Sequence, residues 1–371
     1  MIPLNKPYLN SSSSKKDLEA FSNAIFPERF FTLTFSARQS LSEIYKNLYL
    51  TNGPLIVAVS PLTCVEALYP IIQNGHDIRF VDINPMTLNM DEMSIPENAD
   101  VVQAIHLGGN PQNMDLILIK NPAFIVEDCA QAFGSKFNSI QVGLFGDFSA
   151  FSFMKNMYSL GGGCLVAKKN LPEISEKNKE FSHISTLYRK AKRYFETKCS
   201  INSDYNQFLL NTIIKLKPEN TSLLVTGSGI NNQIRSSIGM QIVNYNEIIA
   251  KRKIVAEYIL SHIKNDTMEK QQSIEKAESN YLRLFFTLRK RMSIDVIEYL
   301  RKNGIGANHL TQNALVYYQE RFDKSDYFKE KIKRANLSNY FNIHDKVFSI
   351  PVSPALKDGE IEHIVKIMNT I

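Results

Sequence analysis

The sequence has few of the features that mark secreted, metal-binding or membrane proteins. Its four cysteines, Cys64, Cys129, Cys164 and Cys199, are far apart, with no CxxC pair and no histidine at zinc-ligand spacing. They are predicted to be reduced thiols of a cytoplasmic protein rather than a disulfide framework or a metal site. The first residues have no apolar core of a signal peptide. The longest apolar stretch, 54–72, is interrupted by polar residues and prolines, so no membrane helix is expected.

A strong excess of one charge is also missing. The chain has 371 residues, with 43 Lys and Arg against 37 Asp and Glu, a net charge of +6 at pH 7. This excess predicts affinity for anionic ligands such as phosphates, but it is too small to argue for a nucleic-acid partner. Hydrophobic residues make up 44% of the chain, enough for a large core, which excludes a disordered or fibrous protein.

The first half of the chain contains a series of short apolar runs. They are four to six residues long and rich in Val, Ile and Phe, which is typical of strands buried on both faces. These runs are LIVAVS (55–60), IRFVDI (78–83), VVQAI (101–105), FIVE (124–127), FSAFSF (148–153) and CLVA (164–167). Most of the segments between them could hold a helix, and one helix is expected to begin after Ser36. Alternating strands and helices predict an α/β domain with a mostly parallel sheet.

The pattern changes after about residue 170, and a second, smaller domain is expected near the carboxyl end. Residues 238–263 are predicted to form one long amphipathic helix that links the two parts. The second part is predicted to contain a strand, a helix and a closing strand–turn–helix unit, at 281–288, 293–302 and 347–368. The predicted domains are therefore a large one over 1–245 and a small one over 246–371.

The residues that could take part in catalysis or ligand binding are most concentrated between 124 and 167. Asp128 directly follows one apolar strand, Lys155 follows the next, and Ser152 lies three residues before Lys155. Ligands of α/β folds bind at the carboxyl ends of strands. An acid, a lysine and a hydroxyl there suit pyridoxal 5′-phosphate (PLP), whose aldehyde bonds to a lysine and whose pyridine nitrogen pairs with a carboxylate. From spacing alone, a helix-capping aspartate and a surface lysine are the alternative.

Six segments, in order over nearly the whole chain, follow the motifs of one known family. VEDCAQAFGSKFNSIQVGLFGDFSAFSF (126–153) is similar to IEDAAQAHGAxYKGRxVGxxGDxxxFSF, and AIHLGGNPQNMD (104–115) is similar to PVHLYGxPADMD. The other matching segments are 2–7, 80–91, 238–253 and 347–365. The chain thus resembles the DegT/DnrJ/StrS family of sugar aminotransferases. That resemblance implies the type I PLP-dependent aminotransferase fold, with a mostly parallel seven-stranded sheet in the large domain and a smaller α+β C-terminal domain.

The resemblance implies a role for each matching residue at the cofactor. Lys155 matches the catalytic lysine, which bonds to the cofactor and moves the proton during the reaction. Asp128 matches the acid on the pyridine nitrogen, Gln131 the partner of the ring hydroxyl, and Ser152 a phosphate ligand. The family's phosphate loop, SGTAAL, aligns with residues 36–41, so the remaining expected phosphate ligands are Ser36, Ala37 and Arg38.

Several matches depart from the family's pattern. The serine and the lysine are closer by two residues than in the family's SFYPTKN, a spacing found in other type I aminotransferases. Arg38 stands where the family has a threonine, and we hypothesise that its charge contacts the phosphate. Cys64 takes the place of the aromatic residue that stacks on the pyridine ring, and Cys129, next in the chain after the ring-nitrogen acid, is also expected to pack beside the cofactor. Asn231, or its neighbour Asn232, replaces the asparagine that reaches the partner subunit's phosphate.

Two histidines match family positions near the substrate. His106 corresponds to the histidine of HLYG, and a structural hydrogen bond at a strand end is its alternative role. His309 resembles a histidine at the substrate entrance, and an exposed loop histidine is the alternative there. Both are therefore candidate substrate ligands.

The resemblance implies transfer of an amino group from L-glutamate to a nucleotide-linked keto-sugar, for surface polysaccharide synthesis of the O-antigen type. The expected assembly is a cytoplasmic homodimer with active sites at the interface, without a nucleic-acid or membrane partner. Two alternatives stay open. One is a PLP-dependent sugar dehydratase, although dehydratases on this fold carry histidine where this chain has Lys155. The other is a non-catalytic ligand-binding or regulatory member of the family.

Overall fold

Three β-sheets organise the part of the chain described by the computed structural model. That part comprises residues 23–171, 230, 232–242, 244–309 and 325–371. Within it, a seven-stranded sheet holds the first half, a four-stranded sheet holds the second, and a small three-stranded sheet connects them.

Six strands of the first half overlap the apolar runs of the sequence, and the strands at 30–34, 136–137 and 140–141 lie outside those runs. In chain order, the strands are β1 (Phe30–Thr34), β2 (Ile56–Val59), β3 (Asp77–Phe80), β4 (Val101–Ile105), β5 (Phe124–Cys129), β6 (Lys136–Phe137), β7 (Ile140–Gln141), β8 (Phe148–Ser152) and β9 (Gly163–Ala167). The seven-stranded sheet has the order β1-β9-β8-β5-β4-β2-β3. Strands β3, β2, β4, β5 and β8 run parallel, whereas β9 is antiparallel to β8 and to β1. The predicted mostly parallel sheet of seven strands is confirmed.

Four helices of the first half follow strands of this sheet. They are α1 (Ala37–Asn52), α2 (Val65–Gln73), α3 (Met114–Lys120) and α4 (Phe153–Asn156). Helix α1 begins where the sequence predicts, because the Ser36 hydroxyl accepts a hydrogen bond from the Gln39 N–H at 3.3 Å. Its apolar residues Leu41, Ile44 and Leu48 are buried in the core beside the sheet, which holds the helix amino terminus at the sheet edge.

The second half is a four-stranded antiparallel sheet with helices. Its elements are α5 (Asn232–Ile242), α6 (Tyr245–His262), β10 (Met268–Lys270), β11 (Ala277–Glu278), β12 (Arg283–Leu288), α7 (Ser293–Lys302), β13 (Asn308–His309), α8 (Ser325–Arg334), α9 (Ser338–Ile343), β14 (Val347–Pro351) and α10 (Asp358–Met368). The sheet order is β10-β12-β14-β13, and β11 pairs with β6 in the three-stranded sheet. The strands and helices predicted at 281–288, 293–302 and 347–368 are confirmed.

The single helix predicted over 238–263 is wrong, because two helices occupy this segment. Asn244 has φ −104° and ψ 14°, away from helical values, and separates α5 from α6. Ile238 of α5 packs in a core cluster with β8 and β9, whereas Ile259 of α6 packs in the core of the four-stranded sheet. The chain must turn between the helices since each serves a different core.

The predicted domain boundary, after residue 245, coincides with the start of α6 at Tyr245. The core of the four-stranded sheet is formed by α6, α7, α10 and the strands of that sheet. Phe328, Tyr340 and Phe285 nevertheless pack in the core of the seven-stranded sheet. The division into 1–245 and 246–371 stays a prediction.

None of the helices in the described ranges combines the length and the apolar character needed to span a bilayer.

Candidate active site

A cavity of about 260 Å³ opens at the carboxyl ends of β5 and β8. Its lining includes eight residues that the sequence predicts as cofactor ligands: Ser36, Ala37, Arg38, Cys64, Asp128, Gln131, Ser152 and Lys155. A larger cavity of about 470 Å³, bounded by Arg79, Asp82 and Lys331, contains none of them. We place the candidate site in the smaller cavity because its residues, rather than its volume, carry the chemistry.

The amino terminus of α1 forms one wall of this cavity. Ser36 caps the helix, and the Gln39 side chain in turn accepts a hydrogen bond from the Phe35 N–H at 2.8 Å. Gly163 of β9 packs directly against this turn, since a Cβ at that position would lie 2.7 Å from the Ala37 nitrogen. The first turn of α1 is thereby fixed, and its free N–H groups and helix dipole favour an anion such as a phosphate.

Asp128 lies at the end of β5 with its side chain almost completely buried. Its Oδ1 accepts a hydrogen bond from the Ala130 N–H at 2.9 Å. Burial raises the pKa of the Asp128 carboxyl, and this hydrogen bond with the nearby Lys155 and His106 offsets only part of the increase. The nearby cationic groups therefore do not fully stabilise the ionised carboxyl group, and a protonated ring nitrogen would add the missing positive charge.

Lys155 reaches the cavity from the short helix α4, immediately after β8. The shorter serine–lysine spacing therefore keeps both side chains on the cavity wall. Asn156 fixes this turn, because its Nδ2 donates to the Ser152 carbonyl at 2.8 Å and to the Ala130 carbonyl at 2.9 Å. The Ser152 hydroxyl makes no capping hydrogen bond to α4, so it stays available to a ligand.

Gln131 presents a donor to the same cavity. Its Oε1 accepts a hydrogen bond from the Gly108 N–H at 3.0 Å. Since the amide oxygen is used in this way, the amide NH₂ group is the part left for a ligand. A donor at this position suits the predicted contact with the oxygen of the cofactor's ring hydroxyl.

The wall where the starts of α1 and α2 meet contains a thiol and an ion pair between the two helices. Arg38 lies 3.3 Å from the Glu66 carboxylate, so Glu66 already compensates part of its charge. Burial raises the pKa of the Cys64 thiol to about 12, which keeps the thiol neutral. Cys64 lines the cavity as the sequence predicts, and the hypothesis that Arg38 contacts the phosphate stays a prediction.

His106 is fully buried and outside the cavity lining. Its Nδ1 accepts a hydrogen bond from the Gln112 N–H at 3.0 Å, so the ring proton is assigned to Nε2, which donates to Glu127 at 3.2 Å. Glu127 also accepts hydrogen bonds from the N–H groups of Gly143 and Gly146, at 2.7 and 2.6 Å. This arrangement fits the structural alternative, since neither ring nitrogen is free to bind a substrate.

The other predicted residues lie elsewhere. His309 is half-buried in β13, 3.1 Å from the Ser293 hydroxyl, and does not line the cavity. Asn231 lies outside the described residues, as does Cys199. Cys129, expected beside the cofactor, follows Asp128 in β5 and packs in the core on the opposite face of the sheet. That expectation is corrected, because successive strand residues point to opposite faces.

Two residues that sequence reasoning missed also shape the cavity. Arg283, at the start of β12, lines it. Asn280 is fully buried, and its Nδ2 donates to the carbonyls of Gln131 and Phe133 at 3.1 and 2.8 Å. These two partners lie 149 and 147 residues away along the chain. No local motif marks such a contact, which arises only when the two sheets meet.

The residues present fit PLP. The cavity offers a lysine to bond the aldehyde, a buried carboxylate for the pyridine nitrogen, and a hydroxyl and a helix amino terminus for the phosphate. Gln131 adds a donor for the ring hydroxyl. Each group of the cofactor thus has a residue of matching chemistry in one cavity.

Comparisons with known proteins match the chain to a family model and to individual relatives. The model of the DegT/DnrJ/EryC1/StrS aminotransferase family matches residues 34–369. The chain is 27% identical over 201 residues to GDP-4-keto-6-deoxy-D-mannose 3-dehydratase of Yersinia pseudotuberculosis, which covers 44% of this chain and 51% of that relative. It is 25% identical over 324 residues to dTDP-3-amino-3,6-dideoxy-alpha-D-galactopyranose transaminase of Aneurinibacillus thermoaerophilus, covering 84% of this chain and 78% of that relative.

A solved structure shows the same fold. The sugar aminotransferase of Micromonospora echinospora superimposes with a TM-score of 0.72 over 100% of both chains, at 19% identity. The expected type I aminotransferase architecture, with its seven-stranded sheet, is therefore confirmed. The match spans about half the length of the dehydratase relative. The activity and substrates of this chain are therefore stated as proposals.

Proposed function

Because the chain belongs to the DegT/DnrJ/EryC1/StrS aminotransferase family, we propose that it transfers an amino group from L-glutamate to a nucleotide-linked keto-sugar. Its cofactor is PLP, on which the family depends. The observation that carries the proposal is that Lys155, Asp128 and Ser152 open onto one cavity at the ends of neighbouring strands. The transaminase relative, named for a dTDP-linked amino sugar, supports the substrate class.

Each residue has a distinct part in the proposed reaction. PLP supplies an electron sink that stabilises negative charge on the carbon that loses its proton. Lys155 would hold the cofactor until the amine of the donor displaces it, and its freed Nζ would then take the α-proton of the donor and return a proton to the sugar carbon. Asp128 would stabilise the positive charge of the ring nitrogen, and Gln131 would donate to the oxygen of the ring hydroxyl. Ser152 and the first turn of α1 would bind the phosphate.

We further propose that the enzyme works in the cytoplasm as a homodimer, with the interface beside the cavity. Its product would then be an amino sugar that is used for surface polysaccharide. Both statements rest on the resemblance to the family, and the predicted contact from Asn231 of one protomer to the phosphate of the other belongs to them.

One experiment tests the proposed activity. The purified chain is loaded with PLP and mixed with L-glutamate, and the visible absorbance of the bound cofactor is followed. We expect that absorbance to fall as 2-oxoglutarate appears in stoichiometric amount. Lys155→Ala is expected to abolish this formation of 2-oxoglutarate, while Lys168→Ala, at an exposed lysine paired with Asp147, leaves it unchanged. A wild-type chain that never takes up PLP, or that yields no 2-oxoglutarate, would contradict the proposal.

The sugar half of the reaction separates aminotransfer from dehydration. A relative named as a 3-dehydratase makes dehydration the alternative, and Lys155 argues against it because dehydratases of this fold have histidine there. The cofactor-loaded enzyme is given a GDP- or dTDP-linked 4-keto-6-deoxy sugar together with glutamate. Mass spectrometry then distinguishes an aminated sugar, which we expect, from a deoxygenated one, which would favour the dehydratase.

A further inference from the structure

Arg283 is a partly buried residue whose guanidinium has a buried, unused hydrogen-bond donor. Its Nη1 is buried and has no hydrogen-bond partner, although buried polar atoms are nearly always paired. Burial lowers the pKa of Arg283 to about 10, and the only other ionisable group that affects it is the Cys64 thiol, which is neutral. Among the described residues, no carboxylate lies within ion-pair distance of Arg283. An anionic ligand is therefore the natural partner of this group.

The other charges around the cavity are accounted for. Arg38 is paired with Glu66. Asp128 faces the place of the ring nitrogen, the phosphate belongs at the first turn of α1, and Lys155 is used to bond the cofactor. Within the described ranges, Arg283 is the cavity-lining cation for which neither the protein nor PLP provides an anion.

We propose that Arg283 binds the α-carboxylate of the amino donor, and that it is a specificity-determining residue for an amino acid donor. This inference rests on the proposed function, since it assigns a residue to the first half of the same reaction. The carboxylate is attached to the carbon whose proton Lys155 removes, so its binding group must lie close to Lys155. Arg283 meets this condition because it and Lys155 line one cavity and both interact with the Cys64 thiol.

The diphosphate of a nucleotide sugar fits Arg283 less well. A sugar ring separates that diphosphate from the reacting carbon, whereas Arg283 lines the same cavity as the catalytic lysine. The guanidinium is also planar and presents parallel donors, which match a carboxylate in two hydrogen bonds. The backbone that leads into Arg283 is held in place, because Asn280, three residues earlier, is hydrogen-bonded to Gln131 and Asn156.

The test uses glutarate, a dicarboxylate without an amino group, so that binding is measured without reaction. Wild type, Arg283→Gln and Arg283→Lys are compared as full-length, PLP-loaded protein by calorimetric titration. The matched control is Arg289→Gln, at an exposed arginine just past the other end of β12. We expect Arg283→Gln to weaken glutarate binding by about ten- to a hundredfold, the range given by charge-assisted hydrogen bonds. Arg283→Lys should retain part of the wild-type affinity for glutarate, and Arg289→Gln should bind glutarate as tightly as the wild type.

The cofactor provides the second measurement. PLP affinity, followed by absorbance, should change by less than about threefold in Arg283→Gln, and the rise in the apparent Kd for glutamate should exceed the fall in the limiting rate. Unchanged glutarate affinity in Arg283→Gln, wild type that binds no glutarate, or a large loss of PLP affinity would each overturn the proposal. Arg283-dependent glutarate binding without 2-oxoglutarate formation would leave it standing and contradict only the proposed activity.

Discussion

Asp128 is a buried carboxyl group to which PLP would bring a positively charged partner. The carboxyl accepts a hydrogen bond from the Ala130 N–H, and burial is the main cause of its raised pKa. When folding raises the pKa of an acid, the protein loses stability as the pH rises through the folded-state pKa, because the acid ionises more readily in the unfolded state. PLP reverses this cost, since its protonated ring nitrogen stabilises the ionised carboxylate.

Asp128→Asn is therefore expected to make the cofactor-free protein more stable at neutral pH and the loaded enzyme nearly inactive. The amide keeps the oxygen that accepts from Ala130 but removes the buried charge. The stability gain should shrink as the pH falls towards the unfolded value of 3.8, where both states bind the proton. Activity should fall by about 10²–10³-fold, the usual cost of removing a group that stabilises charge in the transition state.

Thermal unfolding of the cofactor-free protein from pH 4 to pH 8 checks the predicted stability. The rate at which the loaded enzyme forms 2-oxoglutarate from glutamate checks the predicted activity. Asp147→Asn is the control, since that carboxylate is only partly buried and pairs with Lys168. A cofactor-free Asp128→Asn protein that melts below the wild type at pH 7 would contradict the argument.

At the scale of elements, the cavity depends on how closely β9 approaches the first turn of α1. Gly163 permits this approach: a Cβ there would lie 2.3 Å from the Phe151 carbonyl oxygen and 2.7 Å from the Ala37 nitrogen. Both neighbours are backbone atoms of packed elements, so neither can move without shifting a strand or the helix amino terminus.

Gly163→Ala is expected to lower stability by about 1–3 kcal/mol, the usual cost of overpacking, and to weaken PLP binding by displacing the first turn of α1. Gly359→Ala is the matched control, because a Cβ at Gly359 meets nothing within 4 Å and alanine favours the helix α10. Urea unfolding and absorbance titration with PLP measure the two effects. Equal behaviour of the two variants would contradict the role of Gly163.

Elements and cofactor ligands differ in how far the sequence predicts them. The strands β2, β4, β5 and β8 follow from apolar runs, because burial on both faces leaves a local pattern. Asp128 and Lys155 follow from motifs that lie next to those strands. The break between α5 and α6, and the contacts of Asn280 and Arg283, do not, because they depend on which distant segments meet in the folded chain.

At the scale of the whole molecule, Asn280 is the point where the four-stranded sheet meets the cofactor cavity. Its Nδ2 donates to the carbonyls of Gln131 and Phe133 and, at 3.0 Å, to Asn156 Oδ1. Its Oδ1 accepts from the Leu282 N–H at 2.9 Å, at the approach to β12. One side chain thus links the turn that contains Lys155 to the strand that begins with Arg283.

The two halves of the site should therefore be weakened together by Asn280→Ala. The change leaves buried carbonyl groups without their donor, at a cost of about 1–3 kcal/mol in stability. It also loosens Gln131 and Asn156 on one side and Arg283 on the other, so PLP and glutarate affinity should both fall by about tenfold, equivalent to about 1.4 kcal/mol. Asn303→Ala is the control, since its side chain bonds only within α7 and its own turn. Arg283→Gln alone should affect glutarate and spare PLP, so a loss of only one affinity in Asn280→Ala would contradict the coupling of the two sheets through this residue.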